Sequence, residues 1–507
     1  MISEPIEHHE TVVHALFDAV EKKPEREALV CGTRRLTYRE YGQSVVAFAN
    51  QLRALEVQGR CVAVIMGNSI ETCIAMYATQ LAGAVLVPLN PAYTDSELRP
   101  MLEDCSPAVV IFEPRNAQRD QTLAAAVGAT TFSIGPEFLA TIPQQGPWHP
   151  DPRQMPSGAH LGALQFTGGT TGRSKGVQLS HRAIAINQAQ RNVNLPAEFD
   201  HERLLCVMPL FHVYAIHMCL HNMVNCRGTL VIMEKFDPAA LLTMIATERI
   251  TVFAGSPTLF AGLMNHPCFE SADFSSLEIT YSGASALSAE LLQQWQTATG
   301  TPVIEGYGQS ESGPVVSFNP LNGPRKLASV GPALPLTEIE IVDLETGREV
   351  QLPNTQGEIR LRGPQIMDGY LNRGEETRLA LREGWLYTGD IGELDDDGYL
   401  FIRGRKKELI IVSGFNVYPR EIEDVVASLD GVVECAVIGI EDEYRGELPL
   451  VVVVVQADSS LSEEPILDHC KLHLTKYKQP AAVRFVDGLP KTSVGKLDRV
   501  TLEREMR

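Results

Sequence analysis

The segment LQFTGGTTGRSKGVQLSH (164–181) holds the densest chemistry in the chain. Residues 164–166 read as the end of a strand. Thr167, Gly168, Gly169, Thr170, Thr171 and Gly172 then offer exposed backbone N–H groups and small hydroxyls, and Lys175 adds a cation. Successive N–H groups in such a loop form a concavity that binds anions, phosphate oxygens in particular. A kinase-type phosphate loop is excluded, because it needs Lys followed by Ser or Thr and running straight into a helix. Here Gly176 follows Lys175, and Val177 and Leu179 alternate as in a strand. Taken alone, the segment is also compatible with a glycine-rich hairpin turn.

Further segments follow in order: PLFHVYA (209–215), YSGAS (281–285), IEGYGQSES (304–312), WLYTGD (385–390), GRKKELIIVSGFNVYPREIE (404–423) and LPKTSVGKLDR (489–499). Each has a plain reading. His212 among apolar neighbours is an ordinary core histidine, YGQSE a glycine-containing turn, GRKKE a solvated charge run, and Lys496 a solvated lysine. Asp390 is better placed for binding, since one carboxylate can accept hydrogen bonds from two hydroxyls.

In this company and order, the segments resemble the adenylate-forming superfamily, which holds acyl-CoA synthetases, luciferases and the adenylation domains of peptide synthetases. Its phosphate-loop pattern, T-[SG]-G-T-T-G-x-P-K-G, is matched at 167–176, with Gly168 for the commoner Ser and Ser174 for Pro. The Gly-Gly pair is similar to that of bacterial long-chain fatty-acyl-CoA synthetases. The resemblance runs from about residue 35 to 500, and it implies a role for each segment. The 167–172 loop and Lys175 hold the phosphates of ATP. Gly283, Ala284, Ser285, Glu305, Gly306, Tyr307, Gly308, Gln309 and Ser310 form the adenine and phosphate segments, with Tyr307 stacking on adenine and Ser310, where Thr is commoner, bonding the α-phosphate. Glu311 holds Mg2+, a hard cation that favours oxygen ligands. Asp390 binds the ribose, and Arg405 contacts ribose or phosphate. His212, Val213, Tyr214, Gly283 and Gly308 line the acyl pocket, His212 near the carboxylate. Lys407 is the hinge, Gly414 and Phe415 line the pantetheine tunnel for CoA, and Lys496 serves adenylation.

The elements that must position these residues follow from the apolar pattern. The chain has 507 residues, roughly three domain-sized units. CVAVIMG (61–67), AVLVPLN (84–90) and VVIFE (109–113) read as strands, and SIETCIAMYATQLAG (69–83) as a helix with Ser69 as N-cap and Gly83 as its stop. This β-α-β rhythm, followed through the first 230 residues, implies parallel sheets covered by helices. From about 330, GEIRLRG (357–363) alternates, and DDDGYLFIRGR (395–405) reads as a turn feeding a strand of a β-hairpin. After 408, Pro419 opens a helix that Gly431 ends, and CAVIGI and LVVVVV follow as strands. The expected class is α/β: a large N-terminal domain (1–403) of helix-covered sheets with a small β-barrel-like subdomain, a hinge at 404–407, and a small mobile α+β C-terminal domain (408–507).

Composition narrows the partners. A formal net charge of -20 repels nucleic-acid phosphates and anionic lipid headgroups, so a polyphosphate site must be built locally. The ten cysteines are scattered without a CxxC pair, which fits a reducing compartment. The N-terminus is acidic and polar, unlike a signal peptide, and no apolar run reaches the roughly 18 residues of a membrane span. A cytoplasmic protein with no integral membrane association is expected, and a homodimer is left open. The resemblance implies an acid-thiol ligase that uses ATP, Mg2+ and CoA. Free CoA is favoured over a carrier protein because no carrier segment is attached. The acid is expected to be a medium- or long-chain fatty acid, with an aryl acid of the 4-coumarate type as runner-up. A silent acyl-nucleotide sensor is disfavoured by the presence of Lys496 and Glu311.

Overall fold

Apolar runs without alternation become strands buried on both faces. Cys61–Ile65 and Val85–Leu89 pair in parallel, and Cys61–Ile65 pairs in parallel with Val109–Phe112 on its other side. Between the first two runs Ile70–Leu81, whose twelve residues are all buried, with the Ser69 side chain accepting from the Thr72 N–H and Gly83 at φ +76° ending the turn. The structure is a computed structural model describing residues 6–138, 147–167, 174–283, 287–348, 350–442, 444–456, 459–492 and 496–506.

Those strands belong to a seven-stranded sheet whose order is Gly369–Tyr370, Lys175–Ser180, Leu161–Thr167, Val85–Leu89, Cys61–Ile65, Val109–Phe112, Thr130–Ser133. A second sheet of eight strands runs Val315–Phe318, Val303–Gly308, Ile279–Ser282, Val252–Gly255, Arg203–Cys206, Thr229–Ile232, Glu27–Cys31, Arg34–Thr37. The α/β alternation therefore continues past residue 230, to the strand that ends at Gly308. The strands at the centre of this sheet are parallel. Gly283 and Gly308 stand at their carboxyl ends, where open α/β sheets place their ligands. Trp295 packs behind these strands, fully buried, with its ring centroid 4.8 Å from Phe260 and its Nε1–H donated to Thr280 Oγ1 at 3.2 Å.

A third sheet is antiparallel: Glu338–Val342, Gly357–Arg362, Trp385–Leu394, Leu381–Arg382 and Leu400–Arg405. The expected hairpin is present, its turn held by Asp395 Oδ1 accepting from the N–H groups of Asp397 (3.0 Å) and Tyr399 (2.9 Å). Its register sets Asp390 opposite Arg405.

The C-terminal domain is smaller. Its sheet joins Phe415–Val417, Ile410–Val412, Gly446–Val455 and Val432–Asp442, with Ala482–Phe485 beside Gly446–Val455. Ile422 and Val426 from Pro419–Ala427, and Ile466 from Glu463–His473, close a separate core over Val437, Val451 and Val453. The first of these helices stops at Ala427, earlier than its periodicity implies, and Gly431 (φ +90°) instead makes the turn into the next strand. The connector is not a loose run either. Arg405 is the last residue of a strand, and Lys406–Glu408 form one 3-10 turn. Its ion pairs change side along the way: Lys406 Nζ meets Glu358 of the large domain at 2.9 Å, while Glu408 meets Arg499 of the small domain at 3.0 Å. Among the described residues, no helix is long and apolar enough to cross a membrane.

Candidate active site

Asp390 gathers three of the expected residues from distant parts of the chain. Its Oδ2 accepts from Tyr307 Oη at 2.7 Å and from Gln309 Nε2 at 2.5 Å, and its Oδ1 faces Arg405 Nε at 3.0 Å. Its own N–H is donated to Thr388 Oγ1 at 3.0 Å. The carboxylate is buried, and a buried charge persists only when paired and hydrogen-bonded. Burial, reinforced by the Asp390 charge, pushes the Tyr307 phenol well up, so it stays protonated and donates. The Asp390 charge holds the Arg405 guanidinium above its ordinary value. Gly308 follows Tyr307 because an added Cβ would collide with the Pro314 carbonyl, just before the neighbouring strand Val315–Phe318.

Lys496 reaches the same place from the other domain. The described residues on either side of 493–495 are paired: Thr492 N–H is donated to Lys496 O at 2.7 Å, and Lys491 bridges Leu497. The Lys496 ammonium is pushed down to about 8, first by burial and next by the Arg405 charge, against the pull of Asp390 and Glu311. His212 lies within reach of the same charge. Burial first, and Lys496 second, push the imidazole down to about 3, so the ring is neutral. Its Nδ1 accepts from Tyr214 N–H at 3.2 Å, which leaves the ring proton on Nε2. His212 caps the short helix Val213–Ala215, and a π-helix, Ile216–His221, continues it.

A third group was not anticipated. Tyr370 Oη is donated to Glu311 Oε1 at 3.0 Å, and Lys175 Nζ lies 4.9 Å from the Tyr370 ring centroid. Tyr370 thus ties the cation of the phosphate-loop segment to the expected metal carboxylate. Its only sequence mark is the pair Gly369–Tyr370, which forms a two-residue strand beside Lys175–Ser180. Arg499, the last residue of the LPKTSVGKLDR segment, was also missed. It holds Glu408 (3.0 Å), Glu423 (2.6 Å) and Val437 O (2.6 Å), fixing that segment to its domain. No group of three or more His, Cys, Asp or Glu able to hold a metal occurs among the described residues. A magnesium ion does not need one, because it keeps several waters and is completed by one or two carboxylates and phosphate oxygens. Glu311 is an oxygen donor of that kind.

The remaining expected residues fall as follows. Gly168, Gly169, Thr170, Thr171, Gly172, Ala284 and Ser285 lie outside the described residues. Thr167 and Lys175, which flank the first of these stretches, face each other in register across two antiparallel strands. Glu305 is buried, accepts from Leu287 N–H at 3.0 Å, and is pushed up to about 7 by burial. Gly306 lies against the Phe318 ring, and Ser310 begins a 3-10 turn in which Gln309 N–H is donated to Ser312 Oγ at 2.9 Å. Val213 is buried, and a Cβ added at Gly283 would come within 2.5 Å of Tyr214 Cε2. Lys407 lies in the connecting 3-10 turn. The structure does not bring Gly414 and Phe415 into the Asp390 group. Gly414 (φ +83°) makes a hairpin turn, and Phe415, 56% exposed, stacks on Tyr477 at 4.7 Å.

Comparison with known proteins agrees with this geometry. Residues 16–371 match the AMP-binding enzyme family, and residues 421–496 match the AMP-binding enzyme C-terminal domain. The chain is 33% identical to a long-chain-fatty-acid–CoA ligase of Bacillus subtilis (strain 168), over 98% of this chain and 95% of the other. It is also 33% identical to an indoleacetate–CoA ligase of Aromatoleum aromaticum, over 94% of each. The ATP-bound crystal structure of MatB from Rhodopseudomonas palustris is 32% identical and superposes with a TM-score of 0.91 over 98% of both chains, against 0.81 for the apo form of that protein. The chain belongs to the AMP-binding enzyme family, the adenylate-forming acyl-CoA ligases.

Proposed function

We propose that the chain is an ATP-dependent ligase joining a linear aliphatic carboxylic acid to CoA through an acyl-adenylate. The observation that carries this reading is the gathering of Tyr307, Gln309 and Arg405 on the Asp390 carboxylate, with the half-buried Lys496 of the small domain close enough to feel the charges of Arg405, Asp390 and Glu311. A carboxylate is a poor electrophile. In the first step its oxygen attacks the α-phosphorus of ATP and pyrophosphate leaves. Negative charge gathers on phosphate oxygens in the transition state, and Lys496, Lys175 and the 167–172 backbone counter it. One preorganised donor of this kind is typically worth about 10²–10³ in rate. Glu311 would hold Mg2+, which when bound neutralises phosphate charge. Asp390 accepts the ribose hydroxyls, Tyr307 offers its ring to adenine, and the neutral His212 offers its Nε2–H beside the acid. The acyl-AMP is a reactive mixed anhydride, so its shielding from water matters.

In the second step a thiol attacks the acyl carbon and AMP leaves. Lys496 is not needed there. The change of ion-pair allegiance on either side of Lys407 supports a hinge at 404–407. Rotation there would withdraw Lys496 and bring Gly414 and Phe415 to the tunnel. Phe415, exposed on its hairpin, is available for that move. An aliphatic acid is favoured by the motifs and by the fatty-acid ligase relative. An aryl acid remains the second reading because of the indoleacetate ligase relative. Ten unpaired cysteines support a cytoplasmic site of action.

The first test is the product. Acid-dependent turnover should give AMP and pyrophosphate, with kcat/KM higher on linear aliphatic acids than on benzoate or 4-coumarate. Acid-dependent ADP would remove the ligase reading, and an equal or better aryl acid would remove the aliphatic one.

The second test separates the half-reactions in single turnover. Lys496→Ala should slow acyl-AMP formation by at least about 10² while keeping thioester formation from supplied acyl-AMP. Lys407→Pro fixes φ near -65° and should do the reverse. Equal loss of both steps in both variants would contradict domain alternation.

The third test uses pH. Lys496 sits near 8 in the folded protein, so its charge is complete well below that pH and is lost as pH rises through it. kcat/KM for ATP in adenylation, which reports groups of the free enzyme, should fall above about pH 8. Lys496→Arg, which stays charged, should remove that alkaline limb. A wild-type profile flat to about pH 9.5 would show that the Lys496 charge is not required.

A further inference from the structure

Resting on the ligase reading and on the placing of His212 beside the acid, we propose that Gln165 and Asn68 are positioning residues of the adenylation step, which hold the His212 turn at a fixed place relative to the phosphate-loop strand. The turn is 209–212, closed by His212 N–H donated to Pro209 O at 2.9 Å. That bond leaves the Leu210 N–H and the Phe211 carbonyl to find partners elsewhere, as buried backbone groups must. Two side-chain amides supply them. Leu210 N–H is donated to Asn68 Oδ1 at 2.8 Å, and Gln165 Nε2 is donated to Phe211 O at 2.9 Å. Both amide side chains are buried.

The two amides come from different parts of the seven-stranded sheet, whereas His212 follows a strand of the eight-stranded one. Asn68 stands between the strand Cys61–Ile65 and the helix Ile70–Leu81. Its Nδ2 is donated to Met208 O at 3.1 Å and to Met233 O at 3.2 Å. Those carbonyls lie just past the strands Arg203–Cys206 and Thr229–Ile232. One side chain therefore ties the carboxyl ends of two strands, and the His212 turn, to the sheet that carries the phosphate loop. With carbonyls before its nitrogen and an N–H before its oxygen, the Asn68 amide has a single satisfied orientation.

Gln165 sets the spacing. It lies on the strand Leu161–Thr167, two residues before Thr167, and residues two apart share one face of a strand. The Phe211 carbonyl is thus held on the strand face that also bears Thr167, about 7 Å along the strand from the start of the expected phosphate loop. His212 is the next residue after that carbonyl. Adenylation needs the acid's carboxylate oxygen in line with the α-phosphorus, and a misplacement of about 1 Å caused away from the chemistry can cost about 10² in rate. The two amides hold the acid's side of the site to the nucleotide's side.

The test follows acyl-AMP formation by the full chain in single turnover, with ATP, magnesium and hexanoate, octanoate or palmitate. Gln165→Met keeps the length of the side chain and removes the donor, and Asn68→Ala removes both hydrogen-bonding groups. Each should slow acyl-AMP formation at saturating substrates by about 10 to 10² while the equilibrium Kd for ATP is unchanged, which also confirms folding. Where Asn68→Ala loses ATP binding, Gln165→Met decides alone. In the His212→Ala background the same changes should cost less than about twofold, because residues that act through one group are not additive. An undiminished loss in that background would show that the amides only stitch the sheets together, and unaltered rates in the single variants would show that the turn needs neither. Either result overturns the proposal. A wild-type rate in His212→Ala would remove the role of His212 and this proposal while leaving the ligase standing, whereas acyl-AMP from none of the acids would remove the aliphatic-ligase reading and all that rests on it.

Discussion

The placement of one half-buried ammonium group, Lys496, in the field of the Asp390–Arg405 pair and Glu311 constrains the rest of the structure. Burial alone drives a lysine toward its neutral form, and Arg405 pushes the same way. Only the two carboxylates oppose them, and both are already engaged, Asp390 by Tyr307, Gln309 and Arg405, and Glu311 by Tyr370. The site therefore holds cationic capacity that polyphosphate would use. Because Lys496 belongs to the small domain and its neighbours to the large one, the same interaction fixes how the two domains meet.

This local positive site stands in a chain of formal net charge -20. The acidic surface discourages anionic macromolecules, while on the proposed reading Lys175, Arg405 and Lys496 provide the field where polyphosphate binds. The neutral His212, held to Nδ1 acceptance by Tyr214 N–H, adds a donor without adding charge.

Much of this was legible because the chemistry is carried by short segments. Asp390, Tyr307, Gln309 and Arg405 could be named from their motifs and their family resemblance, and the structure sets them together; the hairpin that sets Asp390 against Arg405 was visible in DDDGYL. What escaped depends on pairings that no local pattern encodes. Tyr370 matters because a two-residue strand lies beside Val177, nearly two hundred positions earlier. The alternation past residue 230 was underestimated because the strands Val252–Gly255 and Ile279–Ser282 are four residues long, too short for a period to declare itself. The helix end at Ala427 was misplaced because Leu429 continues the apolar spacing after the backbone has already turned.

The most direct measurement is the fate of an isotopic label. An acid labelled with oxygen-18 in its carboxylate is incubated with ATP, magnesium and CoA, and the nucleotide product is analysed by mass spectrometry. Attack of the carboxylate on the α-phosphorus predicts AMP carrying one labelled oxygen once the thiol has displaced it. Unlabelled AMP, or label recovered in orthophosphate beside ADP, would contradict an acyl-adenylate intermediate and with it the assigned role of the Lys496 site.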